Sequence, residues 1–143
     1  MTKSTKRTDI PKSYGVKPIT LDLPFRLDHV NCFLAEGEYG WMVIDAGLHN
    51  KQTEARWDKE LEGKNVTDII ITHYHPDHFG YAGRMQEKTG ARISMTKVDH
   101  DAGTNAWTAS FLKKLNDNYK MAGIPDDISK KMKGNTEEFV AYR

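Results

Sequence analysis

Thr72-His73-Tyr74-His75-Pro76-Asp77-His78 is the stretch that decides how this chain is read. Half of its six histidines fall within these seven residues. With six His and twelve Asp in 143 residues, a His-x-His-x-Asp-His pattern arises by chance in roughly one such sequence in a thousand. Position matters as much as identity. The cluster follows Val66 to Thr72 (VTDIIIT), a short β-branched apolar run that reads as a buried strand. It precedes a helix predicted from His78 to Thr89 and closed by Gly90. In open α/β sheets, ligands gather outside the carboxyl ends of strands. Residues two apart in an extended chain point the same way, so His73 and His75 can reach one ion together. Asp77 and His78 follow Pro76, where the chain turns, and suit a second ion. Imidazole and carboxylate donors without thiolate fit Zn²⁺, Fe²⁺ or Mn²⁺. Two such ions about 3.5–4 Å apart share a hydroxide that attacks carbon or phosphorus, water being acidified toward a pKa of about 7. The plain alternative is a solvated or helix-capping histidine turn that holds no metal.

Working outward, Trp41 to Asp45 (WMVID) is a strand that delivers Asp45 to the same rim, followed by Ala46-Gly47. Asp45 is expected to orient the ligating side chains from behind, a simple turn aspartate being the alternative. Tyr74 and His49 are candidates for the substrate pocket, against packing for the first and plain exposure for the second. Val16 to Leu23 and Val30 to Ala35 read as two earlier strands, with a turn at Glu36 to Gly40 before the third. Asn50 is an N-cap candidate for a helix carrying Trp57 and Leu61 and stopped by Gly63. Arg92 to Met95 is a fifth strand. His100 follows it and is read as a surface or rim residue. From Thr104, the residues Trp107, Phe111, Leu115 and Tyr119 recur every four positions, with Leu112 and Ala122 beside them. That stripe is core-facing, with a lid as the alternative. Asp126-Asp127 opens a last short helix, closed by Lys130, Lys131 and Lys133 before Gly134. Glu138 to Tyr142 resembles the start of a strand. The order is β-β-β-α-β-α-β-α-α-β, an α/β pattern with a mixed sheet.

Composition narrows the classes further. Twenty-one basic and twenty acidic residues leave a net charge of +1. That balance argues against a nucleic-acid binder held by bulk charge and against a polybasic membrane segment. Runs such as Ile69 to Ile71 are far too short to span a bilayer. Residues 1–15 read as a flexible polar tail with no apolar segment of a secretory leader. Cys32 is the single cysteine, so no internal disulfide can form, and it reads as inert packing. These features point to the cytoplasm.

The segments Thr72 to His78 with Gly80 and Gly83, Val43 to Gly47 (VIDAG), and Asp28 to Leu34 (DHVNCFL) together resemble the metallo-β-lactamase-fold metallohydrolase superfamily. Its glyoxalase II and lactonase-like members are the relatives in view. The likeness runs from about Ile19 to Met95. It implies an αββα sandwich with metals at one edge, of which residues 16–143 supply the N-terminal βα half with a helical segment at about 104–134. It implies that His73 and His75 hold the first of two zinc ions and that Asp77 and His78 hold the second. Asp77 would also handle the proton of the attacking water, and Asp45 would buttress the site. The implied activity is hydrolysis of a small ester, thioester or lactone by a metal-bound hydroxide. The family pattern also needs a third histidine in a later Gly-His segment, which does not appear after His78. The expectation is therefore a truncated chain or a natural fragment, of reduced metal affinity and inactive alone, whose uncovered sheet favours self-association into a homo-oligomer. The competing expectations are a non-catalytic metal-binding or self-associating fragment and an iron-dependent oxidoreductase of the same superfamily.

Overall fold

Alternation of side chains along the first two strands starts the structure. The computed structural model describes residues 14–131 apart from Phe25 and Trp107. The tail before Tyr14, the Trp107 position of the stripe and the strand expected at Glu138 to Tyr142 lie outside the described residues.

Five strands form one sheet in sequence order: β1 (Val16–Asp22), β2 (His29–Glu36), β3 (Trp41–Ile44), β4 (Val66–Ile70) and β5 (Arg92–Ser94). The first three are antiparallel neighbours, and β3, β4 and β5 run parallel. The sheet is therefore mixed, as the element order predicts. The β2–β3 turn closes through the Gly37 N–H, which donates to the Gly40 carbonyl at 2.7 Å. Gly40 sits at φ +154°, and a Cβ there would meet the Asn65 carbonyl oxygen at 2.6 Å.

One face of the sheet carries Ile19, Leu21, Val30, Cys32, Leu34, Val43 and Ile69, all buried. Helix α1 (Lys51–Leu61) packs on this core through the buried Trp57. Its N-cap is Asn50, whose Oδ1 accepts the Thr53 N–H at 2.8 Å. The opposite face carries Phe33, Ile44 and Ile70 in one cross-strand row, each only half-buried. Among the described residues there is one sheet rather than two, the arrangement expected of half a sandwich. No helix among them is long and apolar enough to cross a membrane.

Three expectations need correction. The helix predicted over His78 to Thr89 is two helices, α2 (Pro76–Phe79) and α3 (Ala82–Thr89). It starts earlier because Pro76 occupies the first helical turn, where a missing N–H costs nothing. It breaks at Tyr81, whose N–H leaves the helical ladder and donates to the Gly47 carbonyl at 2.9 Å. Strand β4 ends at Ile70, two residues short, because Thr72 turns its N–H onto the Asp45 side chain. The helical region begins before Thr104, with α4 (Lys97–Asn105) capped by Thr96, and resumes as α5 (Ala109–Met121). Residues 126–131 are helical as expected. On α5, Leu112, Leu115 and Tyr119 are half-buried and Phe111 is exposed, so the stripe is only partly covered.

Candidate metal centre

The sheet places two strand ends side by side, and the chemistry sits where they stop. Ile44 pairs with Ile70, so Asp45 and the Thr72–His78 turn emerge together at the carboxyl ends of β3 and β4. Asp45 is the buried hub, at 4% exposure. Its Oδ1 accepts the Thr72 N–H at 2.8 Å, its Oδ2 accepts the Thr72 hydroxyl at 2.7 Å, and Oδ2 lies 2.8 Å from His78 Nδ1. Reaching all three demands an unusual backbone: Asp45 has φ +59°, a left-handed conformation that aspartate tolerates better than most residues. The backbone around it is tied as tightly. The Asp45 N–H donates to the Ile70 carbonyl and the Ala46 N–H to the His78 carbonyl, both at 2.8 Å. The Trp57 indole donates to the Ala46 carbonyl at 2.7 Å. Gly47 follows at φ +87°, where a Cβ would lie 2.3 Å from Leu21 Cδ1, so only glycine fits.

The three turn histidines gather against this hub. The His73 ring lies 4.1 Å from the His78 ring and 4.7 Å from the His75 ring, centroid to centroid. Asp77 Oδ2 lies 3.5 Å from His78 Nε2. His73, Asp77 and His78 are half-buried and His75 is exposed. His75 ends the extended segment, and its carbonyl accepts the N–H groups of His78 and Phe79 at 2.9 Å as α2 begins.

The electrostatics follow from burial and pairing. Burial pushes the Asp45 carboxyl up, but hydrogen bonds from His78 and Thr72 outweigh it and hold the group below the usual carboxylate range. Burial lowers His73, and the neighbouring His78 and His75 add to it, so its neutral form is favoured. Burial also opposes charge on His78, yet the Asp45 hydrogen bond and the charges of Asp45 and Asp77 raise it overall. Cys32 is buried under the same region. Burial, then Asp45 and Asp77, push its thiol well above the ordinary range, which suits inert packing.

Three imidazoles and a carboxylate in this proximity suit a borderline transition-metal ion. Among the described residues, no group of three His, Cys, Asp or Glu stands in a geometry that could hold a metal ion. The fit is one of donor chemistry and of neighbouring pairs, not of a completed coordination shell.

The remaining candidates divide. Tyr74 is half-buried, with its ring 5.1 Å from the His75 ring. It also packs under α4, where a Cβ on Gly103 would meet Tyr74 Cβ at 3.1 Å. His49 is exposed, lies edge-on to Tyr81 at 6.0 Å, and borders a surface depression with Phe79, Gly83, Arg84 and Glu87. His100 is exposed beside Asp101, at 3.2 Å. Clefts of about 470 Å³ at Tyr39, Met42 and Arg92, and of about 300 Å³ between α1 and α3, contain no residue of the histidine turn. The residue missed from sequence is Thr72, whose hydroxyl touches both Asp45 and His73.

Residues 25–139 match the model of the metallo-beta-lactamase superfamily. The chain belongs to that superfamily. Among solved structures, a beta-lactamase domain protein from Burkholderia ambifaria is 27% identical with a TM-score of 0.72, covering 90% of this chain and 41% of its own. A metallo-beta-lactamase family protein from Thermus thermophilus has the same fold, at 24% identity and a TM-score of 0.68, covering 84% of this chain and 42% of its own. Among curated proteins, a hydroxyacylglutathione hydrolase of Rhodopseudomonas palustris (strain BisB18) is 30% identical over 81 residues, or 57% of this chain. The chain spans 30% of that relative's length. The metallo-beta-lactamase fold is thus the fold of this five-stranded sheet, and its likeness is to hydrolases.

Proposed function

We propose that the Thr72–His78 turn is the metal centre of a hydrolase that cleaves a small ester, thioester or lactone. One observation carries the reading: His73, His75 and His78 gather at the carboxyl ends of paired strands, with a buried Asp45 behind them. His73 and His75 would hold one ion, and Asp77 with His78 a second, zinc being the first choice and iron or manganese the alternatives. When bound, such ions activate water and polarise the carbonyl under attack. The protein's own part is to hold and orient. Asp45 fixes the His78 ring through Nδ1, which leaves Nε2 toward Asp77. Asp77 is the group that takes the proton from the attacking water at its carboxylate. Tyr74, beside His75, would border the substrate. A thioester is favoured among the substrates because a curated relative is a hydroxyacylglutathione hydrolase. The near-neutral charge supports a small-molecule substrate over a nucleic acid. The lone Cys32 supports a cytoplasmic setting.

A second reading, a metal-binding unit without turnover, is favoured by the absence of a closed set of three ligands among the described residues. Metal content and turnover separate the two. Dialysed protein is expected to take up zinc by mass spectrometry, His75→Ala to lose most of it, and an acyl-glutathione thioester to be cleaved. Uptake without cleavage selects the second reading, and equal metal content in the variant sinks both.

A further inference from the structure

We propose that Thr72 is a positioning residue of the histidine turn: its hydroxyl, held by Asp45, sets the tautomer of His73 while Asp45 sets that of His78, so both rings, when neutral, present an unprotonated Nε2. The inference deepens the metal-centre reading and rests on it.

The argument is a count of protons. The Thr72 hydroxyl oxygen lies 2.7 Å from Asp45 Oδ2 and 3.0 Å from His73 Nδ1. A hydroxyl has one proton to give, and an ionised carboxylate has none. Asp45 has the Thr72 N–H, the Thr72 hydroxyl and His78 Nδ1 around it at 2.7–2.8 Å, the setting of an ionised acceptor. The contact between Thr72 and Asp45 is therefore a hydrogen bond only if Thr72 donates. Its oxygen is then left to accept, so His73 Nδ1 must carry the hydrogen and Nε2 keeps its lone pair. The reverse arrangement, with Thr72 donating to His73, would press two acceptors together at 2.7 Å without a proton between them. The same count makes His78 Nδ1, at 2.8 Å from Oδ2, a donor.

Thr72 cannot easily turn away from this role. Its own N–H donates to the other oxygen of the same carboxylate at 2.8 Å, a two-point clamp. One buried carboxylate thus dictates two ring tautomers, one by direct contact and one through a hydroxyl. A histidine ligand is useful only through the nitrogen that lacks a hydrogen, and the partner of its other nitrogen decides which that is. His75, exposed at the end of the extended segment and outside the Thr72–Asp45 clamp, serves as the internal control.

Long-range ¹H–¹⁵N correlation spectra of the metal-free full chain test this directly, at a pH of about 8.5 where imidazoles are largely neutral. The expected result is Nδ1–H for His73 and His78. Thr72→Val, which keeps the shape and removes the hydroxyl, should move His73 toward Nε2–H and leave His75 and His78 unchanged. Thr72→Ser should restore the native spectrum. Zinc affinity by equilibrium dialysis should fall about tenfold or more in Thr72→Val and recover in Thr72→Ser. Finding His73 as Nε2–H in the unaltered protein, or unmoved in a folded Thr72→Val, overturns the proposal. Should Thr72→Val fail to fold, the spectrum of the unaltered protein and Thr72→Ser decide it. Native tautomers as expected but no zinc uptake by the unaltered protein would uphold the positioning role and reject the metal centre.

Discussion

The turn at Asp45 and the helix α5 are opposite ways of holding chain in place. At Asp45, three side-chain hydrogen bonds, several backbone bonds and the Trp57 indole fix a handful of residues between strands and helices. On α5, no described side chain is buried, Phe111 is 37% exposed, and Met121, its last residue, is 80% exposed. The first region is over-determined, as a site that must present groups at fixed distances requires. The second is held mainly by its own helical bonds and the Thr108 cap, which accepts the Phe111 N–H at 3.3 Å. Polar groups therefore specify the site, while the apolar stripe of the later helix specifies little.

Substitutions can break or sharpen that contrast. The largest effect is expected for Asp45→Ala, which strands the Thr72 and His78 donors and leaves alanine at φ +59°. It should destabilise the fold by about 3 kcal/mol, read from urea unfolding. A loss below about 1 kcal/mol would show that the hub is ornamental. Gly47→Ala comes next, at about 2 kcal/mol, because the new Cβ collides with Leu21 in a left-handed backbone. Trp57→Phe keeps the ring packing and removes the bond to the Ala46 carbonyl. It should cost about 1–1.5 kcal/mol in the same assay.

A pH effect is expected outside both regions. Glu60 on α1 is nearly buried and paired with Lys17 and Arg56. The Lys17 hydrogen bond, resisted by burial and aided by the charges of Lys17 and Arg56, holds its carboxyl below the usual range. Its pKa is lower folded than unfolded, so the stabilisation is present above the unfolded value of about 4.3 and fades as pH falls through the lower folded value. Glu60→Gln should flatten that acid limb of the unfolding free energy, read from urea titrations, by about 0.5–1 kcal/mol. Met121→Ser on α5 should change stability least, within about 0.5 kcal/mol. A larger loss would mean that α5 is covered in solution and would erase the contrast.

Much of the site was legible because its signal is local. His73, His75, Asp77 and His78 share one turn, and the apolar run before them marks the strand that carries it. Asp45 was legible for the same reason, as the residue that ends an apolar strand. Thr72 was not, because its role comes from a partner 27 positions away in sequence. Helix α4 was missed although Thr96 and Asp99 form a capping pair, the Thr96 hydroxyl donating to the Asp99 carboxylate at 2.6 Å. Its polar sequence and internal Gly103 hide the helical period, and that glycine is there to let Tyr74 approach. His49 was singled out by its nearness to Asp45 in sequence, and it follows the left-handed Asp45 and Gly47 onto the exposed surface beside Phe79 and Arg84. The break between α2 and α3 escaped notice because it arises from the Tyr81 bond to Gly47, a tertiary contact.

Every strand in this sheet lies beside its neighbour in sequence. That ordering sets a route for assembly. The hairpins β1–β2 and β2–β3 close short loops and need no crossover, so they can form early and serve as a template. Strands β4 and β5 each arrive by a helical connection and dock on an edge already in place. A chain emerging amino end first from the ribosome would add each strand to the growing edge as it appears. Asp45 would then stand ready at the end of β3 before Thr72 emerges, and the histidine turn would be shaped on arrival by a carboxylate waiting for it.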